Sequence, residues 1–273
     1  MSETREPPRR ALVTGASSGI GAATARLLAS RGYRVALLAR RADRLESLAK
    51  ELAGGSDRGH VVLPCDLREP DEIASAFARL DREFGGLDLL VNNAGMGYRA
   101  RVEEIEPDLL SRVFDTNVFG LLLCCRAALP LLRRGRRPVV VNVASVVGRR
   151  GIPGQSAYAA SKAAVVSIGE SLRVEWADEG PAGIAVCTLN PALTATGFFE
   201  AQPNPAHLPD PDMSGSVGPS AVAEHVLALD RSPRPEVSLR AKWRLLAILS
   251  VVAPRFADRM LVRRLGWKPP TRA

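Results

Sequence analysis

Short aliphatic and β-branched runs alternate along this chain with longer stretches whose apolar residues recur at helical spacing. The runs at 11–14, 34–38, 60–64, 89–92, 139–145, 184–189 and 236–239 have strand length and are rich in Val, Leu and Ile. Between them, 22–30, 43–52, 71–84, 107–132 and 219–229 read as helices. The run at 139–145 lacks polar alternation, as a strand buried on both faces does, and such strands are parallel. Its last residue, Ser145, should therefore emerge at the carboxyl edge of a sheet.

Length and apolar content set the scale. A chain of 273 residues with 46% apolar side chains buries a full core, and a single α/β domain accounts for it better than two. No repeat interrupts it. The first residues are polar and proline-rich, without the apolar stretch of a signal peptide, so residues 1–9 are expected to be a flexible segment and the protein cytoplasmic. Cys65, Cys124, Cys125 and Cys187 lie in or beside apolar runs with no metal-ligand spacing. They read as buried reduced thiols, and no metal site is expected.

The formal charge of +8 changes the picture only at one end. Residues 240–273 hold nine cations against Asp258, so the body before them is neutral overall. A basic tail is a local feature, and nucleic-acid binding by the fold is not expected.

Candidate chemistry centres on Ser145, Tyr158 and Lys162. Four residues apart on a helix, Tyr158 and Lys162 share a face. An ammonium beside the phenol would lower its pKa and make Tyr158 an acid/base at neutral pH. Ser145, at the sheet edge, would hydrogen-bond a substrate oxygen as charge develops there. Alone, Y-x-x-x-K is a common chance pair, and other motifs must lift it.

The first strand supplies one. Gly15-Ala-Ser17-Ser18-Gly19-Ile20-Gly21 follows it and opens a helix, the arrangement that cradles a pyrophosphate on free helix N–H groups. After the second strand come Ala39, Arg40 and Arg41 with no acid, which favours NADP(H) over NAD(H); the alternative is that both arginines are solvated charges starting a helix. Asp66, followed by Leu67, ends the third strand and either accepts from adenine or caps the next helix. Asn92 and Asn93, before Ala94 and Gly95, should stitch neighbouring strand ends together. Asn117 lies inside a long apolar helix, where it either bonds a freed backbone carbonyl and a water leading to Lys162 or is a satisfied interior amide. Arg133 to Arg137 reads as a solvated helix end.

Together these residues resemble the classical short-chain dehydrogenase/reductase family from about residue 10 to 239. Thr14-Gly-Ala-Ser-Ser-Gly-Ile-Gly21 is similar to its T-G-x-x-x-G-x-G, Asn92-Asn-Ala-Gly95 to its N-N-A-G, and Ser145 with Tyr158-x-x-x-Lys162 to its catalytic motif. The resemblance implies a Rossmann-type, doubly wound αβα sandwich with a seven-stranded parallel sheet. It implies that Tyr158 is the acid/base, Lys162 binds the nicotinamide ribose and lowers the tyrosine pKa, Ser145 orients the substrate oxygen and Asn117 anchors a relay water. It also implies a homodimer or homotetramer pairing through the helices of Asn117 and Tyr158.

Residues 190–196 depart from the family's P-G-x-V-x-T. Pro191 and Thr196 fit, whereas Ala192 replaces glycine and Thr194 replaces valine; positive φ at 192 would strain alanine, so a different turn is expected there, with Thr194 and Thr196 still at the nicotinamide carboxamide. Residues 197–218 are proline-rich and correspond to the family's substrate lid. There Phe198 and Phe199 either line a hydrophobic site or pin the loop to the core. Met96, Tyr98, Val147 and Gln155 complete the candidate pocket. Residues 240–273 extend past the usual family end as two basic amphipathic helices, the first apolar run too short to span a bilayer, that pack on the body or another subunit, lie on an anionic membrane or gate entry of an apolar substrate.

The expected activity is NADP(H)-dependent interconversion of a hydrophobic carbonyl and its alcohol, in the reducing direction. A sensor of NADP(H) on the same fold is the rival, as is a membrane-associated dehydrogenase of lipid, steroid or retinoid type; retention of all four catalytic residues speaks against the sensor.

Overall fold

The computed structural model describes residues 7–54 and 59–266. Residues 1–6 of the expected flexible segment, 55–58 of a surface loop, and 267–273 with Lys268 and Arg272 lie outside the described residues. Within the N-terminal segment Arg9 is tied down, donating to Asp230 at 2.6 Å.

Strands and helices alternate as β1 (Arg10–Thr14), α1 (Gly19–Ser30), β2 (Arg34–Ala39), α2 (Ala42–Ala53), β3 (Val61–Pro64), α3 (Pro70–Phe84) and β4 (Leu89–Asn92). There follow α4 (Pro107–Phe114), a π-helical segment (Asp115–Phe119), α5 (Gly120–Leu132), β5 (Val139–Val143), α6 (Ser156–Glu175) and β6 (Ala185–Asn190). The chain closes with α7 (Phe198–Ala201), α8 (Pro219–Arg231), β7 (Glu236–Ser238), α9 (Ala241–Val252) and α10 (Pro254–Leu265).

All strand pairs are parallel, in the order β3-β2-β1-β4-β5-β6-β7. The expected Rossmann-type α/β sheet is therefore present. Parallel strands are covered on both sides, and β5 is buried along its whole length. One core packs α3, α5 and α6 on one face, with Phe77, Leu80, Leu121 and Val165. The other packs α1, α2 and α8 on the opposite face, with Ala25, Leu45 and Val226. Strand order reverses between β1 and β4, whose residues Val13 and Val91 pair side by side. Connections from these two strands leave in opposite directions, which opens a crevice at their carboxyl ends.

Local sequence accounts for the helix limits. In α3, Pro70 occupies the first turn with Asp71 and Glu72, and Gly85 ends the helix with φ 64°. The apolar segment Pro107–Leu132 is long and apolar enough to cross a bilayer, but half of its apolar window is buried in the body. It is not one regular helix as expected: the π-helical segment at 115–119 widens a turn around Asn117.

Asp88, fully buried at the amino end of β4, accepts from the Arg10 backbone at 2.8 Å and guanidinium at 3.1 Å, and from the Arg136 backbone at 2.6 Å. The arginines at 133–137 are thus not merely solvated. Arg133 pairs with Glu179 at 2.7 Å and Arg134 with Asp81 at 2.6 Å, clamping the end of the sheet opposite the crevice.

Candidate active site

The turn after β1 closes tightly. A Cβ added at Gly21 would lie 2.3 Å from the Gly15 carbonyl oxygen, and one at Gly15, where φ is +66°, would lie 2.8 Å from Ala94 Cα. Only glycine permits this approach. The start of α1 has no acidic residue in its first turn, and its Ser18 side chain makes no cap hydrogen bond. Unmatched N–H groups at the helix start, above a glycine floor, fit a pyrophosphate. Ser17 and Ser18 point instead to Arg41, whose guanidinium donates to their hydroxyls at 3.0 and 3.1 Å. Ile20 packs its side chain into the core below.

Around the end of β2 the charge is strongly positive. Arg40 and Arg44 crowd Arg41, and burial together with these neighbours lowers its pKa. Arg40 reaches Asp66 at 4.0 Å. Asp66 does not cap α3, whose N-cap is Glu69; it accepts from the Arg68 guanidinium at 2.6 Å, which holds its carboxyl below the usual range. The backbone N–H of Asp66 donates to Glu72 at 2.7 Å, while Leu67 is buried in the core.

The asparagines do stitch the strands. Asn92 donates to Asn142 on β5 at 2.9 Å, and Asn93 donates to the Thr14 carbonyl on β1 at 3.0 Å. The Thr14 hydroxyl accepts from the N–H groups of Asn93 and Ala94, both at 3.0 Å. This fixes the β4 exit against the glycine turn.

Asn117 grips the same exit from the π-helical segment. Its Oδ1 accepts from Met96 N at 2.7 Å, while its Nδ2 donates to the Met96 carbonyl and the Ser161 hydroxyl, both at 2.9 Å. The carbonyl it bonds belongs to the neighbouring loop, not to its own helix. A Cβ placed on Gly95 would lie 3.3 Å from both Asn117 Oδ1 and Lys162 Nζ, so amide, ammonium and glycine converge.

On α6, Tyr158 and Lys162 come together with Ser145 as the helical spacing requires. The Ser145 hydroxyl hydrogen-bonds the Tyr158 phenol and accepts from Val147 N at 3.4 Å. Lys162 Nζ donates to the Val143 carbonyl at 2.9 Å and stands 6.0 Å from the centre of the tyrosine ring. In this arrangement the groups that set the phenol pKa are its burial and Ser145, with Lys162 not among them. Burial pushes Tyr158 up to about 12 against the opposing hydrogen bond from Ser145, and burial pushes Lys162 down to about 8.

The segment after β6 crosses above the glycine turn. The Pro191 carbonyl accepts from Val146 N at 3.1 Å, Thr194 donates to the Ala192 carbonyl at 2.9 Å, and the Thr196 methyl lies 3.2 Å from where a Gly19 Cβ would be. Ala192 does not adopt positive φ, which among the described non-glycine residues occurs only at Arg137 and His207. Alanine is thereby accommodated without strain.

Of the pocket candidates, Phe198 packs on Tyr158 with ring centres 5.7 Å apart, and Phe199 meets Phe198 edge-on at 5.6 Å. Val147 joins the apolar group around Tyr158. Met96 and Gln155 are half-buried, Met96 held by its backbone and Gln155 at the start of α6. Tyr98 is not in the pocket: fully buried, it accepts from Glu106 N at 2.8 Å.

Several residues near the site carried no sequence signal. Trp243 of α9 packs against the buried Val146, Val147 and Ala159 group, which Tyr158, Ile152 and Ala192 also adjoin. Buried Arg99 fastens the 203–210 segment, donating to Asp210 at 3.0 Å and to the Pro209 carbonyl, while its N–H donates to Pro203 O at 3.0 Å. Ser161, between Tyr158 and Lys162, is completely buried and donates to the Tyr158 carbonyl at 2.7 Å. Its place within Y-x-x-x-K was the only hint.

The profile of the short chain dehydrogenase family matches residues 9–206. The chain belongs to that family. Among its short-chain dehydrogenase relatives, the bovine (Bos taurus) "Dehydrogenase/reductase SDR family member 7B" is 33% identical over 263 residues, covering 93% of this chain and 80% of the relative. An alcohol dehydrogenase from Thermococcus sibiricus complexed with 5-hydroxy-NADP superimposes with TM-score 0.74 at 30% identity, covering 86% of this chain and 97% of that one. A 3-ketoacyl-(acyl-carrier-protein) reductase from Brucella melitensis complexed with NADH gives TM-score 0.74 at 29% identity, covering 85% and 96%. A short-chain dehydrogenase of this kind is an oxidoreductase with a nicotinamide cofactor.

Proposed function

We propose that this oxidoreductase interconverts a hydrophobic ketone or aldehyde and its alcohol with NADP(H), working chiefly as a reductase. One observation carries the reading: Ser145, Tyr158, Lys162 and Asn117 assemble at the crevice edge, beside a glycine cradle flanked by Arg40 and Arg41. The cradle and Gly95 would hold the cofactor from pyrophosphate to ribose, and the arginines would hold a 2′-phosphate. When bound, NADPH supplies the hydride.

The residues of this chain handle the oxygen. With its pKa near 12, Tyr158 keeps its proton at neutral pH and is an acid ready to protonate the substrate oxygen. That state suits reduction; oxidation requires the phenolate. Ser145 donates to the phenol in the free chain and would turn that single proton to the substrate oxygen when substrate is bound. Lys162, fixed by Val143, would hold the ribose hydroxyls, and Asn117 anchors Met96 and Ser161 close by. Phe198, Val147 and Trp243 give the cleft apolar walls, which favour a hydrophobic substrate.

Buried thiols at all four cysteines fit a reducing compartment such as the cytosol. Phe119, Leu122 and Val174 are exposed on the helices through which family members pair, which fits a homodimer or homotetramer.

The test follows absorbance loss from NADPH and, separately, NADH across small, aromatic, long-chain and polycyclic carbonyls. Turnover with NADPH concentrated among the bulky apolar compounds is expected. Binding of NADPH with no turnover in either direction would favour a sensor instead.

A further inference from the structure

The α9–α10 hairpin divides its apolar residues between two faces. Inward, Trp243, Leu246, Leu249, Ala257 and Leu261 pack with Ile152. Outward, Leu245, Ile248, Val251 and Val252 of α9 and Phe256 and Met260 of α10 are uncovered, Val251 and Val252 being 83% and 78% exposed. Leu245, Ile248 and Val252 recur at helical spacing, so they form one stripe rather than scattered single residues.

The surrounding charge decides what such a stripe fits. Lys242, Arg244, Arg255, Arg259, Arg263 and Arg264 are exposed on the same two helices, and none of the six forms an ion pair among the described residues. Asp258, the one acid of the hairpin, is taken up by Arg150. A second copy docking face to face would bring two such cationic surfaces together, which repel. Each helix is 12 residues, about 18 Å by the helical rise, against a hydrocarbon core of about 30 Å. Neither spans a bilayer; both can lie in its surface.

We propose that this hairpin docks the protein on an anionic lipid surface, its outer apolar residues entering the interface while the six cations meet the lipid phosphates. Because Trp243 of α9 packs on the same Val146, Val147 and Ala159 group as Tyr158, docking brings the Tyr158 side of the molecule toward the bilayer. The substrate is accordingly a compound that partitions into membranes. This last clause rests on the reductase reading; the docking does not.

The experiment is co-sedimentation of the full chain with phosphatidylcholine vesicles, with and without phosphatidylglycerol. Pelleting is expected only with the anionic lipid, and it should fall as salt is raised. Each basic residue near such a surface contributes about fivefold to partitioning, so Arg259→Glu with Arg263→Glu should weaken it by at least about 25-fold. Ile248→Asp with Val251→Asp should also abolish pelleting, while circular dichroism and NADPH binding stay as in the parent. Absence of pelleting by the parent chain, or equal pelleting on neutral vesicles, overturns the proposal. So does self-association in light scattering that the same substitutions disrupt in a chain that never pellets, which would assign the face to a second copy. If the parent docks but no carbonyl turns over with or without vesicles, docking stands and the reductase reading fails.

Discussion

Replacing Arg41 by alanine separates the cofactor reading from its rivals. The guanidinium is held by the Ser17 and Ser18 hydroxyls at 3.0 and 3.1 Å, and Arg40 and Arg44 crowd it. Three cations at the end of β2, with lowered proton affinity at the central one, form a field that a dianionic 2′-phosphate relieves. A charge-assisted hydrogen bond contributes about 1.5–3 kcal/mol, and the exposed location favours the lower end. Arg41→Ala should therefore raise the KM for NADPH about tenfold. Loss of the serine contacts also loosens the cradle, an effect common to both cofactors, so the discriminating quantity is the ratio of kcat/KM for NADPH to that for NADH. Steady-state kinetics with one carbonyl substrate measures it. A ratio unchanged by Arg41→Ala, or NADH preferred by the parent chain, would refute the assignment of a phosphate to this cluster.

Tyr158→Phe should lower turnover by about 10² to 10⁴, the range for a lost general acid, while fluorescence titration finds NADPH binding nearly intact. In the pH profile of reduction, Tyr158 stays protonated through neutrality, whereas Lys162 loses its charge near 8; kcat should be level below that and fall above it, and alcohol oxidation should instead climb. A reduction rate that rises through that pH would contradict the assignment. Trp243→Ala should raise the KM of bulky apolar substrates about tenfold and leave the smallest carbonyls little changed, as loss of one aromatic wall implies. Asp88→Asn should destabilise the fold by about 3 kcal/mol in denaturant titration at neutral pH, since it leaves the charges of Arg10 and Arg136 short of their buried partner. Burial pushes the Asp88 carboxyl up, but the Arg10 and Arg136 contacts together outweigh it and hold the folded pKa below its ordinary value, so its stabilisation is present above the unfolded pKa and is lost as pH falls through the folded one. The variant should show a shallower loss of stability in acid.

Much of the architecture was legible because it is written in local pattern. Strand-length apolar runs, separated by helical periodicity, determine a parallel α/β sheet wherever they occur, since backbone pairing and two-sided burial leave few alternatives. The glycine turn and Y-x-x-x-K were equally readable. A turn that a Cβ would block demands glycine, and a spacing of four puts Tyr158 and Lys162 on one helix face whatever surrounds them.

What the sequence left open depends on distant packing. The proton affinity of Tyr158 follows from how completely Ser145, Phe198 and their neighbours desolvate it, and spacing says nothing of desolvation. Asn117 bonds Met96 and Ser161 only because a π-helical segment rotates it toward them. Asp66 had two readings, adenine acceptor or helix cap, and tertiary structure excludes the second, with Glu69 at the cap and Arg68 on the Asp66 carboxylate. Trp243 packs on the same apolar group as Tyr158 from a tail that periodicity could describe only as amphipathic: pattern gave α9 two faces, and tertiary packing alone chose which one meets the body.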